Sequence, residues 1–141
     1  MKEVLIGNLH RDIKEFILQY YLDQHPRARE SDLYNKTAKV VVLDFSSIPE
    51  DEFYKMKPEQ IATYTRLSQE EATRYPIVSE GKFMDGRHRI TAMRTNGMKE
   101  CEALDLTGII KPEQDLYTVK TKQLNSYIIK PKKSKSIRQR I

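Results

Sequence analysis

The stretch "GKFMDGRHRITAMRTNG", residues 81–97, decides the fold of this part of the chain, because it contains an acidic turn, a glycine and a predicted helix in a few residues. "PIVS" before it and "KFM" within it flank a short acidic-glycine turn, a pattern that predicts a tight β-hairpin. Gly86 then ends the second strand, because glycine adopts backbone angles that other residues resist. "RHRITAMRTN" predicts a helix with Ile90, Ala92 and Met93 toward a core, stopped by Gly97.

A helix that begins directly after a strand aims its first unpaired N–H groups back toward the strand end, where they attract anions. The forked N–H groups of an arginine guanidinium match the oxygens of a phosphate, and a histidine can also donate a hydrogen bond to them. An exposed helix start after an ordinary Asp-Gly turn explains the same residues, so the pattern alone leaves both interpretations open. The candidate phosphate-binding residues are Gly86, Arg87, His88, Arg89 and Thr91.

The flanking sequence predicts the other elements of a small α+β domain. Helical spacing of apolar residues, with Asn8 as the cap, predicts a helix over about 9–24 that ends before His25-Pro26. Residues 27–38 read as a polar loop, and "KVVVLDF", 39–45, as a buried strand. Pro58 predicts a helix start, Ser68 the capped start of a second short helix, and 99–106 a return strand. Residues 115–129 fit a weak helix or an exposed strand equally well.

Composition bounds the class of protein. The chain has 141 residues, 38% hydrophobic and 32% charged, which suits one modest core on a charged surface. Cys101, the only cysteine, excludes an internal disulfide and is expected to be a small buried strand residue. The three histidines are far apart in sequence, so no metal site is predicted. No apolar run suits a membrane span or a secretory signal, and we expect a cytoplasmic protein without a membrane partner.

The net charge of +5 is concentrated at the C-terminus, where residues 116–141 carry eight Lys and Arg and no Asp or Glu. Such a tail can bind DNA or RNA phosphates without sequence specificity, bind an acidic protein, or act as a solubilising end. The candidate nucleic-acid-binding residues are Lys130, Lys132, Lys133, Lys135, Arg138 and Arg140.

The segment "KFMDGRHRITAMRTNGMKECEALDL", 82–106, resembles the ParB/sulfiredoxin superfamily. Its members place a GERR-like, GGCHR-like or DGHHR-like motif between a strand and a helix, where it holds the phosphates of CTP or ATP. "DGRHR" is closest to the DGHHR form of free serine kinases. The resemblance covers about 40–108 and implies a mixed sheet with flanking helices over 39–115, preceded by an N-terminal helical extension, 1–38, and followed by the basic tail, 116–141.

The resemblance also implies a function. In the similar kinases a glutamate after the first strand is the base, and here "PEDE" offers Glu50 or Glu52, although this acidic loop also suits a helix cap. His88 is a further catalytic candidate. The implied ligand is ATP or another nucleoside triphosphate, which could carry Mg²⁺, in a nucleotide-binding protein that hydrolyses nucleotide or transfers phosphate. Arg87 occupies the position of sulfiredoxin's reactive cysteine, which argues against sulfinic acid reduction.

Two alternatives remain open from the sequence. One is a DNA-binding or nuclease-type protein of the same fold that uses the basic tail. The other is a non-enzymatic phage or plasmid module that acts on a host protein. Whether the chain is an enzyme is left undecided.

Overall fold

The computed structural model describes residues 2–70 and 74–124. Within these ranges the helices and strands are, in chain order, β1 (Glu3–Leu5), α1 (Arg11–Gln24), α2 (Glu30–Tyr34), β2 (Thr37–Asp44), α3 (Pro58–Glu70), β3 (Ile77–Ser79), β4 (Lys82–Asp85), α4 (Arg87–Thr95), β5 (Glu100–Asp105) and β6 (Thr121–Gln123). The sheet order is β1-β2-β5-β3-β4, with β6 also beside β2. Strands β3 and β5 are parallel and the other pairs antiparallel, so the predicted α+β class with a mixed sheet is confirmed.

Two hydrophobic cores lie on opposite faces of the sheet, because successive strand residues point to opposite sides. Val40 and Leu104 face the side covered by α1 and α2, where they join Ile13 and Ile17. The neighbouring Val41 and Ala103 face the side of α4, and this α4 core also contains Leu43, Val78, Phe83, Ile90, Cys101 and Val119. The helices of the predicted extension, 1–38, therefore pack on the same sheet as the predicted domain, 39–115. Cys101 is buried, as expected, and burial raises the pKa of its thiol.

The first helix ends at Gln24, as predicted, but begins at Arg11 and not after Asn8. Residues Ile6–Asn8 form a 3-10 turn, and the His10 side chain caps α1 by accepting a hydrogen bond of 3.2 Å from the Asp12 N–H. The prediction of Asn8 as the cap was therefore wrong, because Asn8 ends the preceding 3-10 turn and His10 occupies the cap position.

Two further local predictions were wrong. Residues 30–34 form α2 and not a loop, because Leu33 is fully buried and Asp32 accepts a 2.8 Å hydrogen bond from the Arg29 N–H. Helix α3 starts at Pro58, as predicted, but runs without a break through Ser68 to Glu70. The prediction of a second helix capped at Ser68 was therefore wrong, because Ser68 lies inside α3 and not at a helix start. In the described ranges, no helix has both the length and the apolar composition needed to cross a bilayer.

Residues 117–123 connect β4, at one end of the sheet, with β2. Thr118 forms a bridge with Lys82 of β4, and the Val119 N–H donates to the Gly81 carbonyl at 2.8 Å. The segment then continues into β6, which pairs with Val41–Leu43 of β2. Of the two predictions for this region, the exposed strand is the one that forms over 121–123.

Candidate functional site

The Asp85-Gly86 corner brings β4 directly into α4, as the sequence predicts. Gly86 has φ +115°, which side chains other than hydrogen rarely permit. A Cβ on Gly86 would also lie 2.9 Å from Pro76 Cα and 3.0 Å from Pro76 Cβ. The corner can therefore form without strain only with glycine, and it places the first turn of α4 at the edge of an open cavity.

This cavity has a volume of about 560 Å³, within the range of about 300–1,000 Å³ that is usual for small-molecule sites. One wall is the end of β4 and the start of α4, and the others come from the segment after β2, from α3 and from the segment before β6. The lining residues are Glu52, Tyr54, Tyr64, Phe83, Met84, Asp85, Gly86, Arg87, His88, Arg89, Asp115, Leu116 and Tyr117. Four of the five predicted phosphate-binding residues are thus brought together on one wall.

Arg87 is held against the segment that follows β2. Its Nε donates to the Glu52 carbonyl at 3.0 Å and lies 3.8 Å from Glu52 Oε1. Its guanidinium carbon lies 4.1 Å from the centre of the Tyr54 ring, a cation–π contact. The side chain is only partly buried, so its cation lies at the cavity wall with one face on an aromatic ring.

Arg89 is the most buried cation of the cavity, with 9% of the residue exposed. Its Nη2 donates to the Tyr75 carbonyl at 3.3 Å and lies 3.5 Å from Oδ2 of Asp85, the last residue of β4. The Nε is buried and has no hydrogen-bond partner among the described residues. Burial lowers the pKa of Arg89, and the Asp85 carboxylate opposes that shift. A guanidinium remains charged in proteins, so the wall contains a buried cation with one unused donor.

His88 packs against two tyrosine rings. Its ring centre is 4.3 Å from that of Tyr54 and 5.0 Å from that of Tyr64, with the Tyr64 ring nearly parallel. The residue is nevertheless exposed. Because two aromatic rings pack against the imidazole, we expect His88 to meet a ligand with its ring edge, where its two nitrogens lie.

Thr91, unlike the other predicted phosphate ligands, lies outside the cavity wall. It is 3% exposed, its hydroxyl donates to the Arg87 carbonyl at 2.7 Å, and the same oxygen accepts from the Tyr54 N–H at 3.1 Å. Thr91 does not line the cavity. Its hydroxyl fixes the Tyr54 backbone to α4 and so positions the aromatic wall.

The two candidate bases are also separated. Glu52 is partly buried and lines the cavity, whereas Glu50 is exposed and lies away from it. Glu50 Oε1 accepts a 2.7 Å hydrogen bond from Arg94 Nη1, and this bond holds the pKa of Glu50 below its ordinary value. The geometry therefore favours Glu52 as the carboxylate that a ligand in the cavity would meet.

Several wall residues were not singled out from the sequence. Tyr54, Tyr64, Asp115 and Tyr117 come from separate segments that only the folded chain brings to α4. The pairing of residues 117–119 with β4 is long-range, and no local pattern signals it. The predicted nucleic-acid-binding residues Lys130, Lys132, Lys133, Lys135, Arg138 and Arg140 lie outside the described residues.

Within residues 2–70 and 74–124, no group of three or more His, Cys, Asp or Glu side chains is arranged to hold a metal ion. Comparison of the chain with protein-family models, with curated proteins and with solved structures found no significant match. The chemistry of the cavity itself therefore carries what can be inferred about function.

Proposed function

We propose that the cavity at the start of α4 binds a nucleotide through its phosphates. The observation that carries the proposal is Arg89, a largely buried cation with an unused Nε donor in the cavity wall, one turn into a helix whose N-terminus opens on the same space. The first N–H groups of a helix and its dipole favour an anion at this position. The resemblance of residues 82–106 to ParB/sulfiredoxin proteins points the same way.

A nucleotide suits the cavity better than a free phosphate. The walls combine the cationic start of α4 with the aromatic rings of Tyr54, Tyr64 and Tyr117. Binding sites for cofactor-sized molecules are usually apolar and aromatic surfaces with a few placed polar groups. The phosphates would lie at Arg87 and Arg89, and the base and sugar would fill the aromatic part.

The acids of the cavity fit a nucleotide that arrives with Mg²⁺. Asp85 is engaged with Arg89, whereas Glu52 and Asp115 also line the wall. Protein sites for Mg²⁺ with nucleotides commonly use one or two carboxylates together with the phosphates. Asp115 would supply such a carboxylate, which leaves Glu52 free, and the ion would offset part of the repulsion between the acids and the phosphates.

For phosphoryl transfer or hydrolysis, Glu52 is the candidate base. Such reactions depend on positioned phosphates, neutralised charge and a carboxylate that orients the nucleophile. Glu52 lies on the cavity wall next to Arg87, with Arg87 Nε 3.8 Å from its carboxylate. A group bound there would meet a carboxylate and a guanidinium together.

Thermal unfolding with ATP, ADP, CTP and GTP, each with and without Mg²⁺, tests the proposal. A ligand at roughly 100 times its Kd stabilises the folded state by about 2.7 kcal/mol, which raises Tm by several degrees for a chain of this size. We expect at least one nucleotide to do so, and more strongly with Mg²⁺.

Arg87→Gln and Arg94→Gln form a matched pair of variants. Both arginines lie on α4 and both contact an aromatic ring and a glutamate, but only Arg87 lines the cavity. Arg87→Gln should lose most of the nucleotide-dependent shift, and Arg94→Gln should keep it. No shift with any nucleotide, or equal losses in the two variants, contradicts the proposal. Salt-sensitive DNA binding without a nucleotide response would support the nucleic-acid alternative.

A further inference from the structure

Tyr117 lines the cavity and packs against β4. Its ring stacks on Phe83, with centres 5.3 Å apart and planes 13° apart. Its carbonyl accepts a 3.1 Å hydrogen bond from the Phe83 N–H, so its backbone is tied to the outer edge of β4. Both backbone and ring are therefore held, and the phenol has a defined position.

The Tyr117 hydroxyl is buried and has no hydrogen-bond partner among the described residues. Buried tyrosine hydroxyls usually have one, and each exception calls for a physical reason. In the part of the chain that the structure describes, the other buried side-chain atom in this condition is Arg89 Nε. Both residues line the same cavity, so the two unused donors belong to side chains of its walls although neither atom is exposed in the free protein.

The groups around the hydroxyl show how a ligand would reach it. Burial raises the pKa of Tyr117, the Glu52 carboxylate raises it further, and the Arg87 guanidinium opposes them. The phenol therefore stays protonated and can donate. Of these neighbours Arg87 has the longest flexible side chain, and a bound phosphate would attract its charge away from Glu52.

We propose that Tyr117 contacts the ligand, its hydroxyl donating a hydrogen bond to a nucleotide oxygen when Arg87 turns from Glu52 toward the phosphates. This inference rests on the proposed nucleotide site and adds a second wall to it. It gives the unpartnered hydroxyl a hydrogen-bond acceptor in the ligand-bound protein. The ligand would then be held between α4 and the segment that borders β4.

Tyr117→Phe tests the inference because it removes the hydroxyl and keeps the stacked ring. Tyr34→Phe is the matched control, since Tyr34 lies on α2 at the opposite face of the sheet. The probes are ATP, ADP, CTP and GTP with Mg²⁺, titrated calorimetrically into the wild type and both variants. The Tm of each protein without nucleotide is measured in parallel.

We expect Tyr117→Phe to bind the nucleotide about tenfold more weakly, the loss of a hydrogen bond to a charged acceptor, while Tyr34→Phe binds as the wild type does. Without nucleotide, Tyr117→Phe should have an unchanged or higher Tm, because it removes a buried polar atom that has no partner. A lower Tm would show that the hydroxyl is bonded within the protein and would overturn the inference.

Equal affinity of wild type and Tyr117→Phe also overturns it, and leaves the nucleotide site standing. A wild-type protein that binds none of the four nucleotides overturns the nucleotide site and the role of Tyr117 together. The two failures are therefore distinguishable in one set of titrations.

Discussion

The two ends of α4 are built from the same kinds of side chain. At the start, Arg87 lies over the ring of Tyr54 at 4.1 Å, and near the end Arg94 lies over the ring of Phe53 at 3.6 Å. Each arginine also contacts a glutamate of one short 3-10 turn, Glu50–Glu52. The types of residue and of partner therefore do not by themselves tell which end of α4 binds a ligand and which end only stabilises the fold.

The difference lies in the backbone and in the space beside it. Arg94 is favoured by the carbonyl end of the helix dipole and forms a 2.7 Å hydrogen bond with Glu50 at the surface. Arg87 opposes the dipole at the N–H end, makes no such short contact with a carboxylate, and borders a cavity that also contains Arg89. A cation placed against the dipole and beside an open cavity is the arrangement expected where an anionic ligand binds.

The largest effect should come from comparing the two glycines that flank α4. Gly86→Ala should cost roughly 3 kcal/mol or more in free energy of unfolding, because the new Cβ meets the Pro76 backbone at 2.9 Å as well as an unfavourable φ. Gly97→Ala, with φ +93° and open space around it, should cost about 1 kcal/mol. Urea unfolding of both variants measures this, and similar costs would show that the corner at Gly86 is not tightly packed.

The second comparison uses the two glutamates. Glu52→Gln should lower nucleotide turnover about 100-fold or more if the carboxylate acts as base, while nucleotide affinity is retained. Glu50→Gln should leave turnover unchanged, because Glu50 lies outside the cavity. Phosphate release under saturating nucleotide is the measurement. A rate loss in Glu50→Gln as large as in Glu52→Gln would contradict the assignment of Glu52.

A third comparison concerns two threonines of α4. Both hydroxyls donate to a carbonyl one turn back, at 2.7 Å for Thr91 and 2.8 Å for Thr95, but only Thr91 also accepts from the Tyr54 N–H. Thr91→Val should cost about 1–2 kcal/mol in unfolding free energy, since it removes the acceptor of that N–H. Thr95→Val should change stability by less than about 0.5 kcal/mol. Equal urea midpoints would show that Tyr54 does not depend on Thr91.

The smallest effect is the pH dependence of the Glu50–Arg94 contact. Because the hydrogen bond from Arg94 lowers the folded-state pKa of Glu50, its contribution is complete above the ordinary pKa near 4.5 and is lost as pH falls through the folded value. Glu50→Gln should therefore lose slightly less stability than wild type between about pH 5 and pH 3. Urea midpoints at the two pH values measure the difference, which high salt should reduce. A steeper acid loss in the variant would contradict the sign.

Prediction from the sequence succeeded where an element depends on neighbouring residues and failed where it depends on residues far away in the chain. The β3–β4 hairpin, the corner at Gly86 and the end of α4 at Gly97 were confirmed, because each depends on neighbouring residues. Helix α2 was missed because the burial of Leu33 against distant residues stabilises it. The helix start predicted at Ser68 was wrong because a local capping pattern cannot show that the preceding helix continues.

The residues of the candidate site show the same division between local and long-range interactions. The α4 wall could be read from residues 85–89, since a strand, a glycine turn and a helix start are contiguous in sequence. Tyr64 and Tyr117 could not, because α3 and the segment beside β4 reach the cavity through tertiary packing. Sequence reasoning also left Glu50 and Glu52 equivalent, and only the 3-10 turn separates them, directing Glu50 to Arg94 and Glu52 to the cavity.

Residues 117–123 cover strand margins of the kind through which copies of a sheet protein can associate. They pair with β4 at one end and with β2 at the other, so one short segment covers backbone groups on both margins of the sheet. Unpaired strand margins template edge-to-edge aggregation between copies. A chain cut before residue 117 would expose two such margins at once, and so would be expected to form oligomers or precipitate even where the rest of the sheet remained folded.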